Sequence, residues 1–301
     1  MAEGDLSWAA GSERRDYLIR ALSERDEIRD RLWPQVEYAA YALGQLEPGL
    51  FERARWFLAQ GVSGQGLVTH SRGGLGDASF VMGDPLAIAA ILAIEPGPTQ
   101  SYITCQPQHL DALKRVYQLA NRQPMMRMSV RAERFRPRTS IPAVRLRGVD
   151  IRRVNALYGS DGNPTYYSSE HVDGGVYRGV VVGGRLVAIA GTHVVSPQER
   201  VAVVGNVFTH PSYRGYGYAT AATSATTQAL LEQCETVVLT VDPLNTPAVA
   251  AYERLGYRES GRLVEASATR RDPAGLVAFL RRIRAKVRGR SRGGALVSVR
   301  A

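Results

Sequence analysis

Residues 203–222 read VVGNVFTHPSYRGYGYATAA, and the reading of this stretch decides the fold. An apolar strand ends at Thr209, a turn holds Pro211, and Arg214-Gly215-Tyr216-Gly217-Tyr218-Ala219 opens a helix of small residues. Glycines at a strand-to-helix junction let backbone approach a ligand with its amide N–H groups pointing outward. The helix N-terminus adds a partial positive charge and Arg214 a full one. That is a pyrophosphate-binding arrangement, although the same glycines would equally serve a plain tight turn. A Walker loop would need a lysine followed by Ser or Thr after the last glycine, and there is none. A dinucleotide fingerprint would need a third glycine at position 220, which is Thr220.

Downstream, residues 236–259 read TVVLTVDPLNTPAVAAYERLGYRE. Here a strand ends near Asn245, a short helix begins with Thr246 as cap and Pro247 at its first position, and Tyr252 precedes a Leu255-Gly256-Tyr257 turn. In this order and spacing the two stretches resemble motifs A and B of the GNAT superfamily, the acyl-CoA-dependent N-acyltransferases. The likeness covers roughly 150–265.

The resemblance implies two parallel strands, 201–208 and 236–241, splayed at their C-terminal ends around the acyl-pantetheine arm of acetyl-CoA. Its cofactor-binding set comprises Val207, Phe208 and Thr209 on the first strand, with Arg214, Gly215, Tyr216, Gly217, Tyr218, Ala219 and Thr220 around the pyrophosphate. Asn245, Ala248 and Tyr252 complete it on the second motif. Strands pried apart expose N–H and C=O groups that an amide-rich arm can satisfy, and Gly205 would mark the bulge that parts them. The resemblance gives Tyr252 the role of protonating the departing thiolate. An aromatic that shares a helix face with Ala248 and Leu255 would be buried either way.

An alkylamine of pKa about 10.4 is only about one part in 2500 neutral at pH 7, a deficit of roughly 4.6 kcal/mol. A base therefore serves attack by a lysine-like acceptor. The candidates are His193, Glu170 and His171, with Asn206 as a polar orienter on the central strand; His210 shapes its loop. No spacing of histidines or cysteines suggests a metal site.

The rest of the chain supplies the frame. Residues 12–60 are expected to be helical, with Pro48 starting a helix that carries Phe51, Trp56, Phe57 and Leu58. Short strands at 66–70 and 78–83 flank a turn of Gly73, Gly74 and Gly76. A helix starts at Asp84-Pro85, a strand covers 101–105, a helix runs from Pro107 to Ala120, and a strand passes through Met126–Val130. After a boundary within 131–145 come a helical stretch near 149–158, a hairpin of 176–182 and 185–195 turned by Gly183-Gly184, and the elements already quoted. The two halves share an order of elements, but Gly83-Asp84-Pro85 stands where the second half has its arginine and glycines.

The expected fold is therefore α/β, a mixed, mostly antiparallel sheet with splayed central parallel strands, preceded by a second, degenerate α/β domain of the same kind. The expected domains are 1–135, 140–268 and a tail of 269–301 that is a basic helix followed by disorder.

Of the net charge of +10, the segment from Arg270 onward carries +9, so the body is not a basic nucleic-acid-binding surface. In the tail, Leu276, Phe279, Leu280, Ile283 and Val287 are expected to pack on the body, with arginines opposite. Contact of this tail with an anionic partner is the sharper alternative. No apolar run approaches a membrane span, and the two cysteines exclude a disulfide scaffold. Composition points to a soluble, cytoplasmic protein, and the resemblance implies an N-acetyltransferase that uses acetyl-CoA and no metal on a small-molecule or protein amine. A non-catalytic acetyl-CoA sensor, a longer acyl donor and a homodimer stay open.

Overall fold

The computed structural model describes residues 14–73, 76–162 and 167–300. The first thirteen residues, Gly74 of the glycine turn and Tyr166 fall outside them. The chain forms two compact units that interleave along the sequence. One takes residues up to 23, 55–122 and 266 onward; the other takes 24–54 and 123–265.

In the first unit the strands are β1 (Arg14–Leu22), β2 (Ala54–Gly61), β3 (Gly64–Gly73), β4 (Gly76–Gly83) and β5 (Gln100–Cys105), with helices α3 (Pro85–Ile94) and α4 (Leu110–Lys114). The end of β12 (Arg258–Arg270), helix α9 (Leu276–Gly289) and β13 (Ala295–Arg300) complete it. Sheet order runs β13-β1-β2-β3-β4-β5 and on to β12.

The second unit opens with α1 (Arg25–Leu32) and α2 (Val36–Gly44). It continues through the end of β6 (Tyr117–Val130), β7 (Val144–Arg145), α5 (Ile151–Tyr158), α6 (Ser169–Asp173), β8 (Arg178–Val182), β9 (Arg185–Ser196) and β10 (Val201–Thr209). Helix α7 (Tyr218–Leu231), β11 (Thr236–Val241), α8 (Thr246–Arg254) and the start of β12 follow. Its sheet order is β12-β6-β11-β10-β9-β8-β7. Each half of the sequence runs strand, two helices, three strands, helix, strand, helix, strand, which extends the shared order read from sequence. Only the β4–β5 and β10–β11 pairings are parallel among the registers described.

Several expectations at the N-terminal end are corrected. Residues 14–22 form a strand, because Tyr17 and Ile19 are buried at a two-residue period while their neighbours are not. Trp56, Phe57, Leu58 and Ala59 sit in β2 and not in a helix, all of them buried. The helix expected from Pro107 to Ala120 is only Leu110–Lys114, since β6 already begins at Tyr117. Sheet pairing overrides helical propensity there.

At the other end, residues 295–300 are not disordered: they pair antiparallel with β1 from Arg14↔Arg300 to Ile19↔Ala295. Helix α9 is turned the opposite way to its expected packing. Ala278, Ala285 and Gly289 are buried, whereas Leu276, Phe279, Leu280, Ile283 and Val287 are exposed.

The two halves diverge after their fourth strands. Asp84 caps α3, accepting from the Leu86 amide at 2.9 Å, and also accepts from the Tyr17 hydroxyl at 2.6 Å. A carboxylate thus occupies the helix start where the other half carries glycines and an arginine. Asp84→Ala removes the cap and strands the buried Tyr17 hydroxyl. A urea titration of that variant is expected to show about 2 kcal/mol less stability.

Candidate active site

The site grows from the place where β10 and β11 part. Their parallel register runs from Val201↔Thr236 to Val204↔Leu239 and then stops, although β10 continues to Thr209. On its other side β10 stays paired with β9, but the register slips between Gly205↔Gly191 and Phe208↔Ile189. Asn206 sits in that bulge at φ +54. Asparagine tolerates this left-handed conformation better than most side chains. The edge of β10 facing β11 beyond Val204 has no strand partner among the described residues, as the splay expected from sequence requires.

Tyrosines hold the bulge. The Tyr158 hydroxyl donates to the Asn206 carbonyl at 2.5 Å and the Tyr167 hydroxyl to its Oδ1 at 2.8 Å. The Asn206 amide in turn donates to the Tyr177 hydroxyl at 2.9 Å. Burial pushes the Tyr177 phenol up to about 12 and raises those of Tyr158 and Tyr167, so all three remain donors at neutral pH. Tyr167 is itself fixed by Asn155, whose side chain bonds both its amide and its carbonyl. Asn206, expected as a polar orienter in the catalytic set, is itself held by three tyrosines and fixes the course of its strand.

A cavity of about 810 Å³ opens at the splay. Of the cofactor set expected from sequence, Val207, Phe208, Thr209, Arg214, Gly215, Gly217, Tyr218, Ala219, Thr220, Asn245, Ala248 and Tyr252 line it. Tyr216 does not; it is exposed and stacks on Tyr218. Gly217, at φ +79, is the cap position of α7 and supplies no side-chain cap, so the first-turn amides keep their hydrogen-bonding capacity. Arg214 reaches back to the Thr209 carbonyl at 3.4 Å. His210 accepts from the Ser212 amide and receives Arg185, which fits its expected loop-shaping part. Asn245, and not Thr246, caps α8, with Pro247 in the first turn.

Tyr252 faces this cavity from α8 and is also part of the core with Leu239, Leu255 and Tyr257. Burial pushes its phenol up to about 12, and its hydroxyl has no hydrogen-bond partner among the described residues. Behind it, Gly256 is required: at φ +94, an added Cβ would lie 2.0 Å from the Arg134 carbonyl oxygen.

The base candidates separate. Glu170 is exposed on the short helix α6, and His171 packs edge-on against Tyr167. His193 lies on β9 directly beside the bulge, where a Cβ on Gly205 would strike its ring at 1.9 Å. Tyr41 of α2 stands 5.9 Å from its centroid. His193 keeps an exposed edge, yet desolvation, followed by the charges of Arg127 and His171, lowers its pKa below the ordinary value.

Sequence reasoning missed Arg127. Arg127 is 1% exposed, none of its three side-chain nitrogens has a hydrogen-bond partner among the described residues, and its guanidinium lies 5.2 Å over the Tyr41 ring. The signal was present in MMRMSV, where Met126, Met128 and Val130 alternate with Arg127 and Ser129. Alternation puts Arg127 on the sheet face opposite the methionine core. Helix α2 covers this region, and Arg29 of α1 binds the buried Glu199 in bidentate fashion at 2.7 and 2.9 Å. Arg254, Pro247, Ala251 and Tyr213 also line the cavity without having been anticipated. No cluster able to hold a metal ion occurs among the described residues.

Comparison with known proteins agrees with this geometry. Residues 151–257 match the Acetyltransferase (GNAT) family model. Among solved structures, a GCN5-related N-acetyltransferase from Kribbella flavida is 19% identical, over 77% of this chain and 95% of its own, with a TM-score of 0.51. A GCN5-related N-acetyltransferase from Sphaerobacter thermophilus is 15% identical over 84% and 95%, with a TM-score of 0.52. A Drosophila protein reaches a TM-score of 0.56 at 15% identity, over 83% and 98%. None of the curated proteins matches the chain. At such identities the likeness is one of fold, and its coverage carries that fold beyond 151–257 into the N-terminal half. Over residues 151–257 the chain is similar to the acetyltransferases of the GNAT family.

Proposed function

We propose that the second unit transfers an acetyl group from acetyl-CoA to a primary amine. One observation carries this reading: the unpaired edge of β10 opens onto a turn where Arg214 and the first-turn amides of α7 converge. The strand edge suits the amides of a pantetheine arm, and the helix start suits its pyrophosphate. Two free, buried cysteines, Cys105 and Cys234, suit the reducing cytoplasm.

In this reading the acceptor nitrogen attacks the thioester carbon, the C–S bond breaks, and the nitrogen's proton passes to His193, directly or through water. Backbone N–H groups of Val207–Thr209 polarise the carbonyl. Tyr252 gives its proton to the thiolate. A phenol at about 12 is a weak acid, but the burial that raises it also raises the basicity of a thiolate formed beside it.

Calorimetry is expected to saturate at one acetyl-CoA per chain, because Asp84 fills the corresponding helix start in the first unit. Gly217→Val is expected to abolish that binding, since a β-branched residue at φ +79 costs about 1–2 kcal/mol and displaces the turn. Gly217 is exposed, so the chain should stay folded, with a melting temperature lowered by only about 2–6 °C. Wild-type affinity in this variant would remove the cofactor assignment.

Tyr252→Phe keeps the packed ring and removes only the hydroxyl. Acetyl-CoA affinity is expected to change little while kcat falls by about 10²–10⁴-fold, if proton delivery limits the rate. Unchanged kcat would make Tyr252 structural, and absence of thiol release with every amine tested would favour the sensor reading.

His193 also sets a pH dependence. Its lowered pKa keeps the ring neutral above about 6.5, so kcat/KM for a weakly basic aromatic amine should fall only below that pH. Arg127→Met deletes a positive neighbour and raises the His193 pKa. The acid limb of the profile is then expected to move to higher pH; an unmoved limb would point to another base.

A further inference from the structure

Helix α9 presents its largest apolar side chains to solvent. Its seat on the first unit is made of Ala278, Ala285 and Gly289, together with Arg282, which donates to the Ile94 carbonyl at 2.9 and 2.8 Å and pairs with Glu95 at 2.9 Å. The seat is tight: a Cβ on Gly289 would meet the Gly294 carbonyl oxygen at 2.1 Å. Diametrically opposite run Leu276, Phe279, Leu280, Ile283 and Val287, between 48% and 73% exposed. Spacings of three and four residues put them in one stripe along the helix.

Charge lies on one flank of the stripe. Arg281, Arg284 and Arg288 of α9 join Arg14, Arg115 and Arg300 around a hollow of about 520 Å³. No acidic side chain lines that hollow, and no Asp or Glu occurs after Asp272. Such a face repels a second copy of itself, and a purely electrostatic ligand such as nucleic acid would leave the apolar stripe uncovered. A bilayer with anionic headgroups satisfies both parts, because phosphates can meet the arginines while the stripe enters the acyl boundary.

We propose that α9 is an interfacial helix that docks the protein on an anionic membrane surface. It lies in the plane of the surface; no helix among the described residues is long and apolar enough to cross a membrane.

The test is co-sedimentation of the full chain with vesicles of phosphatidylcholine alone, and with vesicles mixing phosphatidylcholine and phosphatidylglycerol. Binding is expected on the mixed vesicles, at least about 100-fold stronger than on neutral ones, and weakened by salt. Two variants divide the contributions: Phe279→Ser with Leu280→Ser, and Arg281→Glu with Arg284→Glu and Arg288→Glu. Both are expected to lose vesicle binding with unchanged melting curves, since every residue altered is exposed. Three outcomes would overturn the proposal. One is absence of binding to mixed vesicles. Another is binding that survives the serine variant, which would leave simple charge attraction of the kind a short RNA would also show. The third is a dimer in sedimentation equilibrium that the serine variant breaks while vesicles stay unbound.

Discussion

The parallel pairing of β10 with β11 lasts four residue pairs, and the geometry of the site follows from its ending there. Backbone groups that leave a sheet must find other partners, because an unsatisfied buried amide costs free energy comparable to a lost hydrogen bond. On the β9 side the bulge at Asn206 keeps β10 attached while turning it. On the β11 side its edge is left facing a cavity. The three tyrosines that grip Asn206 hold the strand in a left-handed conformation that would otherwise be costly. The open strand edge and the backbone strain therefore have one origin.

The parts that could be read from the letters are those where backbone conformation demands a particular residue. Gly217 and Gly256 occupy positive φ, and Asn245-Thr246-Pro247 starts a helix by local chemistry alone. Such signals lie within a few residues of one another. The misreadings share the opposite property. Residues 14–22 are a strand because β2 and β13 lie on either side of them, and neither partner is near in sequence. Arg127 looks like an ordinary strand residue until α2, β9 and β12 gather around it. Helix α9 has the periodicity of a core-facing helix, and periodicity alone cannot say which face is inside.

The two halves differ most plainly at one helix start. Both have parallel strands followed by a helix, yet Asp84 satisfies the first helix from within, whereas Gly217 leaves the second open to a ligand. A single carboxylate at a helix start occupies one first-turn amide, contributes negative charge and repels phosphate.

The interleaving of the two units bears on how the chain acquires its structure during synthesis. β11 can pair at once with β6, which precedes it on the ribosome. β1 is made long before its outer partner β13. The first unit must hold an unfinished edge until β13 is made, and closing it fixes contacts of the highest sequence separation among the described residues. β1 thus waits for a partner made far downstream of it, and a chain interrupted between β1 and residue 295 leaves that edge open.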